Sequence, residues 1–162
     1  MFSVWRWTTA LLWLALLNGG CGGNSQPFKN TPQESGASLY QRIGGGPAVS
    51  AIADQLVDRA IADPNVNFSR NGHSHIWSPT PDHVAELKTY LAQYIGMVCD
   101  GPQVYEGHNL LDVHRGMQIS ESEWYAFMDD LKAILASSQI AWADQEEVLR
   151  RVAGSHDVVV DK

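Results

Sequence analysis

Cysteine is scarce in this chain, with two in 162 residues. Two thiols cannot frame a disulfide scaffold or complete a cysteine-based zinc site, and no C-x-x-C-H segment exists to attach a c-type heme. Basic residues are also few, 11 against 18 acidic ones, for a net charge of −7. No run of lysine or arginine is present, which argues against nucleic acid as a partner bound through its phosphates. No apolar run reaches the roughly 20 residues needed to cross a bilayer core. The length is one domain's worth, and an apolar fraction of 44% is ordinary for a domain with its own core.

What is present begins with an address. Arg6 is the sole charge before Lys29, and Thr8–Leu17 is a mostly apolar run. Its length is that of a signal-peptide apolar region, about 7–15 residues. It leads into Leu17-Asn18-Gly19-Gly20-Cys21, which resembles a bacterial lipoprotein signal, with Asn18 where an aliphatic residue is usual. The expectation is a signal peptide over 1–20 and lipidation at Cys21. The mature protein would then be held by its lipid on the outer side of a membrane, periplasmic or at the cell surface. An ordinary secretory signal is the alternative. Residues 21–37 are rich in Gly, Ser, Pro and Asn and read as a flexible tether.

From Ser38 the apolar spacing is helical. Val49, Ile52, Ala53, Leu56, Ala60 and Ile61 recur at threes and fours behind Gly44-Gly45-Gly46-Pro47, and Asp63-Pro64 stops that helix. Residues 38–43 fit one short helix. A loop over 65–82 carries Val66, Phe68 and Trp77 as anchors. The next helix starts near Pro81 with His83, Leu87, Tyr90 and Leu91 on one face and ends near Cys99. A short helix over 109–114 follows. Ser120 and Glu123 spell a capping box for a helix with Trp124, Phe127 and Leu131 on its stripe. Asp144 begins the last helix, and Val158-Val159-Val160 reads as tail. The class is all-α with four principal helices, the domain running 38–155 and the tail 156–162.

Six histidines are the chemistry on offer. A lone helical histidine is more often a surface or core residue than a ligand. His83 nevertheless shares a face with Leu87 and Leu91, and His114 precedes Met117, Ile119, Trp124 and Phe127. Two apolar faces with one imidazole each also suit a flat, metal-bearing cofactor, and spacing leaves both readings open. His73, His75 and His156 read as solvated. Cys99 reads as a buried thiol, and Glu121, Glu123, Asp129 and Asp130 as an exposed helix face.

Three segments carry a resemblance: SLYQRIGGG over 38–46, IADP over 61–64 with Phe68, and YEGHNLLDVHRGMQIS over 105–120. In this order they resemble the group 1 truncated hemoglobins, from about Ser38 to Arg151. The resemblance implies a two-over-two helical sandwich, a shortened globin, around heme b. It implies His114 as the proximal iron ligand and Phe68 as the aromatic against the porphyrin. His83 falls on the distal, ligand-side position, with Leu87 one turn on. His108 stands where a Lys or Arg often reaches a heme propionate. Met117, Ile119, Trp124 and Phe127 complete the expected cofactor-binding residues.

Leu56-Val57 stands where the family usually has Phe-Tyr, so the phenol that bonds bound dioxygen is absent. The Phe68–His83 loop is longer than usual, and a glycine pair is reduced to Gly96-Met97. His83 is then the expected distal donor, or in another state a direct iron ligand. Reversible binding of dioxygen or another diatomic gas, as carrier or sensor, is the leading functional expectation. NO dioxygenase or peroxidase-like chemistry on the same heme is the alternative, with an electron donor the sequence does not identify. A cofactor-free helical lipoprotein that binds a partner is the third reading.

Overall fold

The computed structural model describes residues 36–73 and 76–160. The lipidation candidate Cys21 and the loop residue His75 lie outside them. All regular structure among the described residues is helical: α1 (Leu39–Arg42), α2 (Gly45–Ala62), α3 (Pro81–Val98), α4 (Leu110–His114), α5 (Glu121–Ser137), α6 (Trp142–Ala153) and α7 (His156–Val159). No described helix is long and apolar enough to cross a membrane.

The helix ends follow their local chemistry. Ser38 and Gln41 form a reciprocal capping box on α1. Thr80 caps α3 through the His83 N–H, with Pro81 in its first turn. Asp63 leaves α2 in an extended conformation ahead of Pro64. Ser120 and Glu123 form the expected box on α5.

Packing pairs α2 with α3 and α5 with α6, and α2 also lies against α5. Leu39, Ile43, Val49, Ile52 and Leu56 meet Ile95 and Cys99 of the α3 end, Leu131 and Leu135 of α5, and Val148 and Val152 of α6. Truncating one of these leucines to alanine costs about 2–5 kcal/mol. The end of α3 is tied in by polar contacts as well. The Tyr40 N–H donates to the Cys99 carbonyl at 2.7 Å. Arg151 donates to the Val98 carbonyl and to Asp100, each at 2.7 Å. Gly96 leaves room there for the Gln103 side chain, since a Cβ would lie 2.6 Å from Gln103 Oε1 and push that side chain aside. Met97, beside it, is 43% exposed and needs no such exception.

Three expectations change. Residues 156–159 are helix α7 rather than tail, and α7 packs on α4. Three consecutive valines favour strand locally, but contact with α4 overrides that preference. Asp130 is not solvated: it is 4% exposed and ion-paired with Arg59. Glu123 also faces inward, as described below. Cys99 is buried as expected, and burial pushes its thiol up to about 11.

Candidate functional site

Beside the core, and sharing Leu91, Phe127 and Val152 with it, lies a cavity of about 390 Å³ bordered by α3 and α5. That volume lies in the range of small-molecule and cofactor sites. Val57 on α2, Phe68 and Trp77 in the loop, and Leu87 and Leu91 on α3 form part of its lining. Met117, Ile119, Trp124 and Phe127 come from the chain around α5, and Val152, Ser155 and Val159 from α6 and α7. The lining is overwhelmingly apolar, with His108, His114, Arg70 and Glu123 as its ionisable groups outside the tyrosines.

His114 ends α4, a helix of five residues whose start is capped by Asn109, its side chain accepting the Leu111 N–H at 2.9 Å. The His114 Nδ1–H donates one turn back to the Leu110 carbonyl at 2.7 Å. A carbonyl only accepts, so Nδ1 carries a proton in this contact and Nε2 is the nitrogen left to meet a metal. This is the arrangement in which metal-binding histidines are held by a partner on their second nitrogen. Among the described residues no three His, Cys, Asp or Glu side chains converge to hold a bare ion.

The aromatic part of the lining is interlocked. Phe68 and Trp77 meet edge to face at 5.2 Å, and Trp124 stacks on Phe127 at 6.2 Å. Tyr105 lies edge-on to Tyr90 and Tyr94, 6.2 Å from each. Gly107 explains the Tyr-x-Gly spacing, since a Cβ there would sit 2.4 Å from the Tyr105 ring. The Tyr90 hydroxyl turns outward and donates to Glu86 at 3.1 Å. That hydrogen bond and the Glu86 charge raise its pKa.

A buried polar knot joins the loop to the start of α5. Arg70 donates to Glu123 at 2.8 Å and to the Gln118 carbonyl at 2.9 Å. Glu123 also accepts from Asn67 at 3.2 Å and from the Ser120 N–H at 2.8 Å. Burial alone would raise the Glu123 carboxyl, but the Ser120 and Arg70 donors outweigh it and hold the group below the usual carboxylate range. His73 sits on this knot rather than in open solvent, its ring nitrogens 2.9 Å from Gln118 Oε1 and 3.2 Å from Arg70 Nη2.

Of the residues expected at the site, His114, Phe68, Leu87, His108, Met117, Ile119, Trp124 and Phe127 all line the cavity. His83 does not. It is exposed in the first turn of α3, its Nδ1–H donates to the Ser78 carbonyl at 3.0 Å, and its ring lies 6.3 Å from Trp77. Trp77 is the lining residue of that pair. His156 is only partly exposed, edge-on to Trp124 at 5.6 Å and 3.0 Å from Glu121. Glu121 and then Asp157 raise its pKa. Sequence reasoning missed Arg70, Glu123 and the α7 valines. The available signal for Arg70 was a cation two residues beyond Phe68, with no local partner of opposite charge.

A family model for bacterial-like globins matches residues 38–160. The group 1 truncated hemoglobin of a Nostoc species is 24% identical over 126 residues, covering 78% of this chain and 99% of that protein. The group 1 truncated hemoglobin of Tetrahymena pyriformis is 27% identical over 107 residues, 65% of this chain and 77% of its own. The crystal structure of the Tetrahymena pyriformis truncated hemoglobin, Fe(III) form, superposes with a TM-score of 0.66 at 20% identity, covering 78% of this chain and all of that one. The shared fold is the two-over-two arrangement of α2 with α3 and α5 with α6.

Proposed function

The chain belongs to the bacterial-like globin family, and from that premise we propose that its cavity holds heme b and binds dioxygen or another diatomic gas. The observation that carries this reading is the hydrogen bond that orients the His114 ring. Its Nδ1–H is engaged by Leu110 at 2.7 Å, on the wall of an apolar cavity. When bound, heme supplies a ferrous iron that takes a diatomic gas reversibly. His114 is then the proximal ligand, oriented by the Leu110 carbonyl. Phe68, Leu87, Met117, Ile119, Trp124 and Phe127 would keep water from the bound group, and the exposed His108 would be placed to donate to one of its acid groups.

The His114 Nδ1–H bonds a neutral carbonyl rather than a carboxylate, so the imidazole gains little of the electron push that favours O–O cleavage. Val57 stands where a phenol would add a donor, and Leu87 is apolar. This favours reversible binding over peroxidase-like O–O cleavage, while NO dioxygenation by the bound dioxygen stays the alternative reading. Trp77, whose indole N–H is a donor on the cavity wall, is the first candidate for a ligand-side donor.

Hemin titration tests the reading. One equivalent per chain should generate a Soret band, and the dithionite-reduced protein should bind carbon monoxide reversibly. A protein that develops no Soret band would overturn it. Export and lipidation at Cys21 belong to the same proposal and rest on the sequence. Palmitate labelling should be lost in Cys21→Ser, and equal labelling of both proteins would contradict the anchor.

A further inference from the structure

Arg70 has a chemistry that the gas-binding reading leaves unused. It follows Phe68 by two residues, and its side chain lines the same cavity. It is 3% exposed, so its five N–H donors have to find acceptors inside the protein. Nη1 donates to Glu123, and Nη2 to the Gln118 carbonyl at 2.9 Å and to His73 Nε2 at 3.2 Å. The Nε–H is buried and has no acceptor among the described residues. A buried donor without an acceptor is costly, and native structures seldom leave one. A guanidinium cannot shed the proton to escape that cost.

Charge decides what kind of acceptor fits. Among the described residues Glu123 is the only carboxylate lining the cavity, and its charge is already matched by Arg70 at 2.8 Å. An incoming anion therefore meets an N–H of a cation and no unmatched like charge. Charged acceptors also make the strongest bonds to guanidinium donors.

We propose that the Arg70 Nε–H is a ligand donor of the cavity, bonding a carboxylate oxygen carried in by the bound molecule. Two sources present that oxygen. A porphyrin brings propionate carboxylates, in which case the inference rests on the heme reading above and adds the residue that senses the cofactor's acid groups. A small free carboxylate, for which formate is the probe, stands independently of heme.

The test uses the full chain labelled with 15N-arginine. The Arg70 Nε–H resonance is assigned by its disappearance in Arg70→Lys, which keeps a cation opposite Glu123 but has no donor midway along the side chain. Formate is added to porphyrin-free protein. Separate samples receive zinc protoporphyrin IX or its dimethyl ester, which is diamagnetic and lacks carboxylates. A shift with the acid but not the ester assigns the acceptor to a propionate. A shift with formate assigns it to a small carboxylate, and does so even if no porphyrin binds.

Binding should follow the resonance. Arg70→Lys should cut the preference for acid over ester, or the affinity for formate, about ten-fold, equivalent to about 1.4 kcal/mol. No shift with either carboxylate, or equal shifts with acid and ester, overturns the proposal. Affinities for all three probes that are unchanged in Arg70→Lys overturn it as well. Failure of zinc protoporphyrin to bind, with the formate response intact, overturns the heme reading and leaves the Arg70 assignment standing.

Discussion

His114 and Phe68 line one cavity, yet the walls that carry them are assembled at different ranges along the chain. On the His114 side the helix cap, the ring and the start of α5 are each set by short-range bonds. Asn109 caps α4 across two residues, His114 bonds Leu110 across four, and Ser120 and Glu123 close their box across three. On the Phe68 side the loop is held by Arg70 and Asn67, which reach Glu123 at separations of 53 and 56 residues. The two walls meet at the Glu123 carboxylate and at Gln118. Local bonds can each be lost at modest cost, whereas the loop depends on a buried pair that is destabilising once broken.

The largest effect should come from removing the one chemical group the local wall exists to present. His114→Ala should abolish stable hemin binding while leaving the helical circular dichroism intact. Next in size is the shared carboxylate. Glu123→Gln leaves Arg70 buried without its counter-charge and should cost about 3 kcal/mol by urea unfolding at neutral pH.

The pH dependence follows from the lowered folded pKa of Glu123. Its contribution is complete above the unfolded carboxylate value, near 4.5, and is lost as pH falls through the folded value. Glu123→Gln should flatten that acid-side loss, and an unchanged profile would place the sensitivity elsewhere.

Asn109→Ala should cost less, about 1 kcal/mol for a lost cap. The effect should be confined to faster amide exchange in α4. Smallest is the effect of His83→Leu on dioxygen release from the reconstituted ferrous protein. The ring is exposed and committed to the Ser78 carbonyl, so the rate should change less than about two-fold, far below the roughly ten-fold worth of a full hydrogen bond. Trp77→Phe should accelerate release more than His83→Leu, with carbon monoxide release as the control for simple widening of the pocket. The reverse order would return the donor role to His83.

The same division of range explains what could be read from the residues alone. The stripes of α2, α3 and α5, the Ser120 box and the YEGHNLLDVHRGMQIS segment are signals within one or two helical turns. They placed the helices, and the geometry brings eight of the nine expected cofactor residues to the cavity wall. His83 was placed across a long loop, where no periodicity carries the register. Glu123 and Asp130 looked solvated because their partners, Arg70 and Arg59, are 53 and 71 residues away. Val158-Val159-Val160 looked like tail because the surface that holds α7, on α4, is distant in sequence.

The central claim is that the His114 imidazole is the iron ligand in an otherwise self-sufficient cavity. His114→Gly, titrated with hemin in the absence and presence of free imidazole, tests it most directly. Without imidazole no stable Soret band should form, and with imidazole the band and one-to-one binding should return. Wild-type hemin affinity and an unchanged histidine-type ferrous spectrum in His114→Gly without imidazole would contradict it.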